Sequence, residues 1–199
     1  MAHVNNVYFA VLPYSIKLRV ARTLPFLYLT VKHTTSAQGV NMPANEAPEV
    51  TLTIVHSVVQ LPDDLTATSI ATMTRSWMGP YADTQADCRQ GILDALSGKP
   101  APGGFVILAN LGAVRAGILV MLATGMSGYI PPNLLLFIAV DGSLRRRGIA
   151  SQLMQLALDS TQGPIKLHVE ADNPAQRLYN KFGFKNAYLD MRLYREASS

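Results

Sequence analysis

Three consecutive arginines, Arg145, Arg146 and Arg147, stand directly ahead of Gly148-Ile149-Ala150, and together these residues have the chemistry of a phosphate site. Guanidinium forks match phosphate oxygens, and a glycine lets an anion approach the backbone with no Cβ in the way. The first turn of a helix adds unpaired N–H groups and the positive end of its dipole. Such a site has to be built on a strand, a turn and a helix N-terminus. Leu134-Leu135-Leu136-Phe137-Ile138-Ala139-Val140 is an uncharged apolar run that suits a strand buried on both faces. Asp141-Gly142-Ser143-Leu144 reads as the turn, and Ile149, Leu153, Leu156 and Ala157 mark an apolar helical stripe.

A second stretch, Asn173-Pro174-Ala175-Gln176-Arg177-Leu178-Tyr179-Asn180-Lys181-Phe182-Gly183-Phe184, follows at the distance that one helix and one strand require. The first stretch, written Arg-x-x-Gly-x-Ala, resembles the acetyl-CoA pyrophosphate loop of the GNAT superfamily of N-acetyltransferases. The second resembles the other half of the same signature, Asn-x-x-Ala-x-x-Leu-Tyr-x-Lys-x-Gly-Phe, with Ala175 one residue early. Two matches in the right order and spacing are far more specific than either alone. The resemblance covers Leu134 to Phe184, with weaker agreement back to Thr51.

The resemblance implies an α/β (α+β) fold: a GNAT-like mixed, mostly antiparallel central sheet flanked by helices, with a splayed acetyl-CoA cleft between the fourth and fifth strands. It implies direct transfer of an acetyl group from acetyl-CoA to a primary amine of a small molecule, peptide or protein, with no metal required. That reaction needs the thioester held beside the amine, an N–H for the developing oxyanion, removal of the amine proton and a proton for the leaving thiolate. Main-chain groups of Ile138, Ala139 and Val140 would pair with pantetheine, the Val140 N–H being the oxyanion donor. Arg145, Arg146, Arg147, Gly148, Ile149, Ala150 and Ser151 would hold the pyrophosphate. The family's second loop position is most often glycine and here is Arg146, so which arginine head faces the phosphates stays open.

Asn173 resembles the family residue that bonds the cofactor near its pantetheine arm; the plain alternative is a helix N-cap ahead of Pro174. Tyr179 matches the family's usual general acid, and a phenol with a pKa near ~10 is still protonated at neutral pH. Glu170, near the end of its expected strand, is the first choice of base, directly or through a water. His168, two residues earlier on the same expected strand face, is the second. Asp141 and Glu170 also read as plain surface acids, and Tyr179 as a packing residue.

Length and composition agree with this reading. A chain of 199 residues with 49% hydrophobic and 15% charged content suits one globular domain with a sizeable core. The net charge of +4 fits an anionic ligand at least as well as nucleic acid. A basic RNA-associated protein is the alternative, but the chain has no recognition motif and no aromatic-basic interleaving. An acyl-CoA-binding regulatory module without turnover would carry the same motifs. The single cysteine, Cys88, excludes an internal disulfide and points to a reducing, cytoplasmic setting. Its polar neighbours suggest a surface or half-buried thiol rather than a nucleophile. A homodimer is open, and no membrane partner is expected.

Residues 1–49 differ from the rest: Lys17, Arg19, Arg22 and Lys32 precede the first acid, Glu46. The apolar runs Val7–Leu12 and Leu24–Val31 fall short of the ~20 residues that span a bilayer. A transit peptide lacks its amphipathic arginine face here, and a secretory signal its basic start. The segment is read as an extension of unknown role, with the acetyltransferase domain over 50–199.

Within that domain, Thr51–Val55 alternates as a first strand, and two helices are expected over Thr66–Met78 and Thr84–Leu96. Trp77, Met78 and Tyr81 lie where the family's acceptor cleft has one wall, although packing explains them as well. Gly104–Ala109 and Val114–Thr124 form a hairpin. A strand over Ile165–Ala171, a helix over Pro174–Phe182 and a last strand within Lys185–Leu193 complete the order.

Overall fold

A computed structural model describes residues 6–11, 14–19, 48–193 and 195. They fall into two compact units, Met1–His168 and Val169–Ser199. The first unit is organised by a five-stranded sheet, β3 (Val50–Val55), β4 (Gly103–Leu111), β5 (Val114–Ala123), β6 (Asn133–Val140) and β7 (Ile165–Leu167), in that spatial order. β3 to β6 run antiparallel to their neighbours, and β7 runs parallel to β6. Branched and aliphatic residues fill these strands, as a pleated, packed surface favours. The β4–β5 reversal pairs Leu111 with Val114 and places Gly112 at φ 60°, the glycine-first geometry of a two-residue hairpin loop.

Two helices cover one face. Thr66 caps α1 (Ala67–Met78) reciprocally with Ser69: the Ser69 N–H donates to Thr66 Oγ1 at 3.1 Å, and the Thr66 N–H to Ser69 Oγ at 2.8 Å. Thr84 caps α2 (Gln85–Ala95) by accepting from the Asp87 N–H at 3.2 Å. Ile70 and Ala71 of α1, and Cys88, Ile92 and Ala95 of α2, share one core with Val106, Leu108, Ile118, Val120 and Phe137 of the sheet. Each such large side chain contributes about 1.5–3 kcal/mol by leaving water. On the other face lies α3 (Ile149–Asp159), seated closely over Gly117. A Cβ added there would meet Leu153 Cδ1 at 2.9 Å and Ile149 Cγ2 at 3.1 Å.

Several expectations need correction. Cys88 is fully buried, because α2 turns it into the shared core despite its polar neighbours in sequence. β6 is buried on both faces but less fully than expected: Leu135, Phe137 and Ala139 are buried while Leu136, Ile138 and Val140 are half-buried. β7 ends at Leu167 rather than Ala171 and pairs only with Asn133 to Leu135, so the far end of β6 has one strand neighbour fewer than expected. His168 and Glu170 therefore stand beyond the strand, and do not share a strand face.

In the second unit, α4 spans Gln176–Lys181, shorter than the expected Pro174–Phe182. No strand forms over the described part of Lys185–Leu193. There Tyr188, Leu189, Met191 and Leu193 are exposed, with no sheet partner to reward an extended conformation. The segment read as an extension holds an antiparallel pair, β1 (Asn6–Val11) with β2 (Tyr14–Arg19). The run Leu24–Val31 lies outside the described residues.

Candidate active site

The open edge of β6 comes from its register. Val120 faces Phe137 but Met121 faces Leu135, so Leu136 is an extra, bulged residue. Leu136 packs against the α1–α2 core beside Phe137. α2 crosses it at Gly91, where an added Cβ would lie 2.3 Å from Leu136 Cδ2. Beyond the bulge, residues 136–140 have no β7 partner.

The Asp141 N–H donates to the Ala116 carbonyl at 3.0 Å, on the β5 side. Strand groups alternate sides, so the Val140 and Ile138 N–H groups point to the vacated β7 side, while those of Ala139 turn toward β5. Of the three residues expected along the pantetheine arm, Ile138 and Val140 thus keep main-chain groups on the open edge, and Ala139 does not.

The chain leaves β6 through a short 3-10 turn, Gly142–Leu144. The Asp141 carboxylate accepts from the Ser143 N–H at 2.8 Å and the Ser143 hydroxyl at 2.6 Å. These bonds, with the Trp77 side chain and the Arg145 charge, hold its pKa below the ordinary carboxylate value. Arg145 reaches back rather than outward: Nη2 donates to the Trp77 carbonyl at 2.5 Å and Nε to the Val140 carbonyl at 3.4 Å. Arg146 and Arg147 are exposed. Arg146 adopts φ 64°, a left-handed conformation costing a non-glycine residue ~1–2 kcal/mol. This is the position where the resembled motif most often has glycine.

Gly148 is the N-cap of α3 at φ 79°, with open space where a Cβ would be, and no side chain caps the helix. The first turn of an eleven-residue helix therefore starts without a side-chain acceptor. Ile149 is buried and anchors the helix; Ala150 and Ser151 are half-buried. An open glycine, an uncapped first turn and nearby arginines fit a pyrophosphate.

The second unit holds Glu170, Asn173 and Tyr179, while His168 ends the first. Asn173 Nδ2 donates to Glu170 Oε2 at 3.1 Å, and Asn173 Oδ1 accepts from the Ala175 N–H at 2.9 Å, the capping role weighed for it above. Gln176 Nε2 donates to the carbonyls of Glu170 and Ala171, both at 2.8 Å. Tyr179 is half-buried with its ring edge-to-face on Phe184 at 6.0 Å. Burial first, then the Glu170 charge, pushes its phenol up to about 12. Glu170 itself and His168 are exposed.

Two features were missed in the sequence. The bulge at Leu136 has no signal in an all-apolar run. The Arg145–Trp77 bond joins residues 68 positions apart; the Asp-x-Ser start of the turn hinted only at the local bonds of Asp141.

A family model described as an acetyltransferase (GNAT) domain matches residues 102–186. No curated protein matches the chain. Among solved structures, a GNAT-family acetyltransferase from Streptococcus pneumoniae is similar over 74% of this chain and 99% of its own, at 18% identity and a TM-score of 0.52. An aminoglycoside acetyltransferase from an uncultured soil metagenomic sample, in complex with sisomicin, is similar over 75% and 97%, at 13% identity and a TM-score of 0.51. An aminoglycoside N-acetyltransferase in complex with CoA is similar over 79% and 100%, at 16% identity and a TM-score of 0.50. At such identities the structural likeness speaks for the fold, and the five-stranded mixed sheet with its splayed fourth and fifth strands is that fold. Residues 102–186 thus match a GNAT acetyltransferase domain, and the described sheet and helices have the fold of the solved acetyltransferases.

Proposed function

We propose that this protein transfers an acetyl group from acetyl-CoA to a primary amine of a small molecule, peptide or protein. The observation that carries the reading is the open edge of β6 leading into the uncapped N-terminus of α3 at Gly148. Residues 50–199 form the acetyltransferase domain in this reading, and 1–49 an extension. Acetyl-CoA supplies an activated acyl group on a thiol leaving group. The open-edge main-chain groups of Ile138 and Val140 hold the pantetheine arm, and the Val140 N–H steadies the carbonyl oxygen as the amine attacks. The loop from Arg146 to Ser151 binds the pyrophosphate, and Asn173 is the cofactor contact that the resemblance implies near the pantetheine arm.

As the N–C bond forms and the C–S bond breaks, the amine proton passes to Glu170, directly or through a water. Tyr179 gives its proton to the departing thiolate. A phenol raised to about 12 is fully protonated at neutral pH, which suits that donor role. Acceptors of the aminoglycoside class are one option within this reading, since two similar structures are named for them.

Saturating CoA, at ~100 times its dissociation constant, should stabilise the fold by about 2.7 kcal/mol in thermal unfolding. Gly148→Glu should erase that gain, because it forces a side chain into a left-handed position and sets a negative charge beside the phosphates. Thiol release from acetyl-CoA across an amine library then separates an enzyme from a binding module. An unshifted melting temperature of the parent in millimolar CoA overturns the reading.

A further inference from the structure

We propose that Arg145 is a positioning residue that, with Asp141 and Trp77, clasps the C-terminal end of α1 to the phosphate loop, so that occupancy of the loop is felt at α1. The inference rests on the CoA-binding reading above and assigns Arg145 a different part in it from that of a phosphate ligand.

The contacts run both ways. From loop to helix, Arg145 Nη2 donates to the Trp77 carbonyl at 2.5 Å. That carbonyl is among the last four of α1, which have no partner inside the helix and sit at its negative end, so a guanidinium is well matched to it. On the loop side, the Trp77 side chain and the Arg145 charge both act on the Asp141 carboxylate, helping to hold its pKa down. Asp141 in turn fixes the turn by its two bonds from Ser143. Arg145 Nε also reaches the Val140 carbonyl at the open end of β6. The guanidinium is thus directed at two carbonyl groups, and the chain turns left-handed at the very next residue, Arg146. A ligand that draws the loop toward itself must move Asp141 and Arg145, and through them the Trp77 peptide and indole.

Trp77 is the single tryptophan of the chain, so its fluorescence reports this one contact. CoA is titrated into the full-length parent, Arg145→Ala and Asp141→Ala, with affinity read by calorimetry at several salt concentrations and Trp77 emission read in parallel. In the parent, the emission should change along the calorimetric binding curve. Arg145→Ala should weaken CoA about fivefold, the low end of ordinary coupling between sites. It should leave the salt dependence of binding unchanged, because no ion pair to phosphate is lost. The Trp77 response to CoA should be largely abolished. Asp141→Ala, which cuts the clasp from its other end, should abolish the same response, and it carries the test if the arginine variant fails to fold.

A shallower salt dependence in Arg145→Ala with an intact Trp77 response makes Arg145 a phosphate ligand and overturns the clasp. Calorimetric CoA binding with silent Trp77 in the parent overturns it too, leaving the binding reading standing. A parent that does not bind CoA at all overturns both.

Discussion

The two halves of the acetyltransferase signature fall in regions built by different means. The β6–loop–α3 region hangs on long-range packing: α3 rests on Gly117 of β5, the bulge at Leu136 lies under α2, and Arg145 bonds α1. Among the described residues of Val169–Ser199, the contacts are short-range polar bonds among Glu170, Asn173, Ala175 and Gln176, a six-residue helix, and the Tyr179–Phe184 ring contact. The first region owes its geometry to a core. The second owes its geometry to turn chemistry, which neighbouring residues supply regardless of the rest of the sheet.

The sharpest way to test that difference is to truncate one leucine in each. Leu153→Ala, at a fully buried position on α3, should cost about 3 kcal/mol, within the usual ~2–5 for a buried leucine. Leu189→Ala, at 86% exposure, should change stability by less than about 0.5 kcal/mol. Equal costs in denaturant unfolding would show that the C-terminal segment has a covered face in solution.

Tyr179→Phe comes next. It keeps the ring against Phe184 and should lower turnover by ~10², the low end for losing a general acid, because a thiolate departs partly unaided. CoA affinity should not change, since the loop at Gly148 is untouched. Full turnover in the variant would leave Tyr179 a packing residue.

The same phenol offers a pH signature. A folded-state pKa of about 12 means the folded chain keeps this proton after the unfolded chain, near ~10, has lost it. The stability it contributes is therefore present below about pH 10 and is lost as pH rises toward 12. Phenolate absorbance should show a late component in the parent that is missing from Tyr179→Phe. Its persistence in the variant would assign the late titration to another of the eight tyrosines.

A small effect of opposite sign belongs to Arg146→Gly. Relief of ~1–2 kcal/mol of left-handed strain, offset by the ~0.5–1 kcal/mol entropic cost of glycine, leaves a net gain of about 0.5 kcal/mol in unfolding. A loss of stability would mean that the Arg146 side chain itself holds the loop.

The sequence by itself determined what is local in this protein. Thr66 and Thr84 announced the starts of α1 and α2, Gly112 the hairpin, and Gly148 with the residues around it the mouth of α3, because caps and turns depend on residues a few positions apart. The two motifs pointed to the family before any strand was placed. Tertiary structure alone decided how far β7 runs, which N–H groups of β6 are left on an open edge, that Cys88 is buried, and that Arg145 turns toward Trp77. Each of these depends on a partner far along the chain. An apolar run reads the same whether its neighbour pairs with it for three residues or eight, and an arginine carries no mark of which carbonyl it will meet.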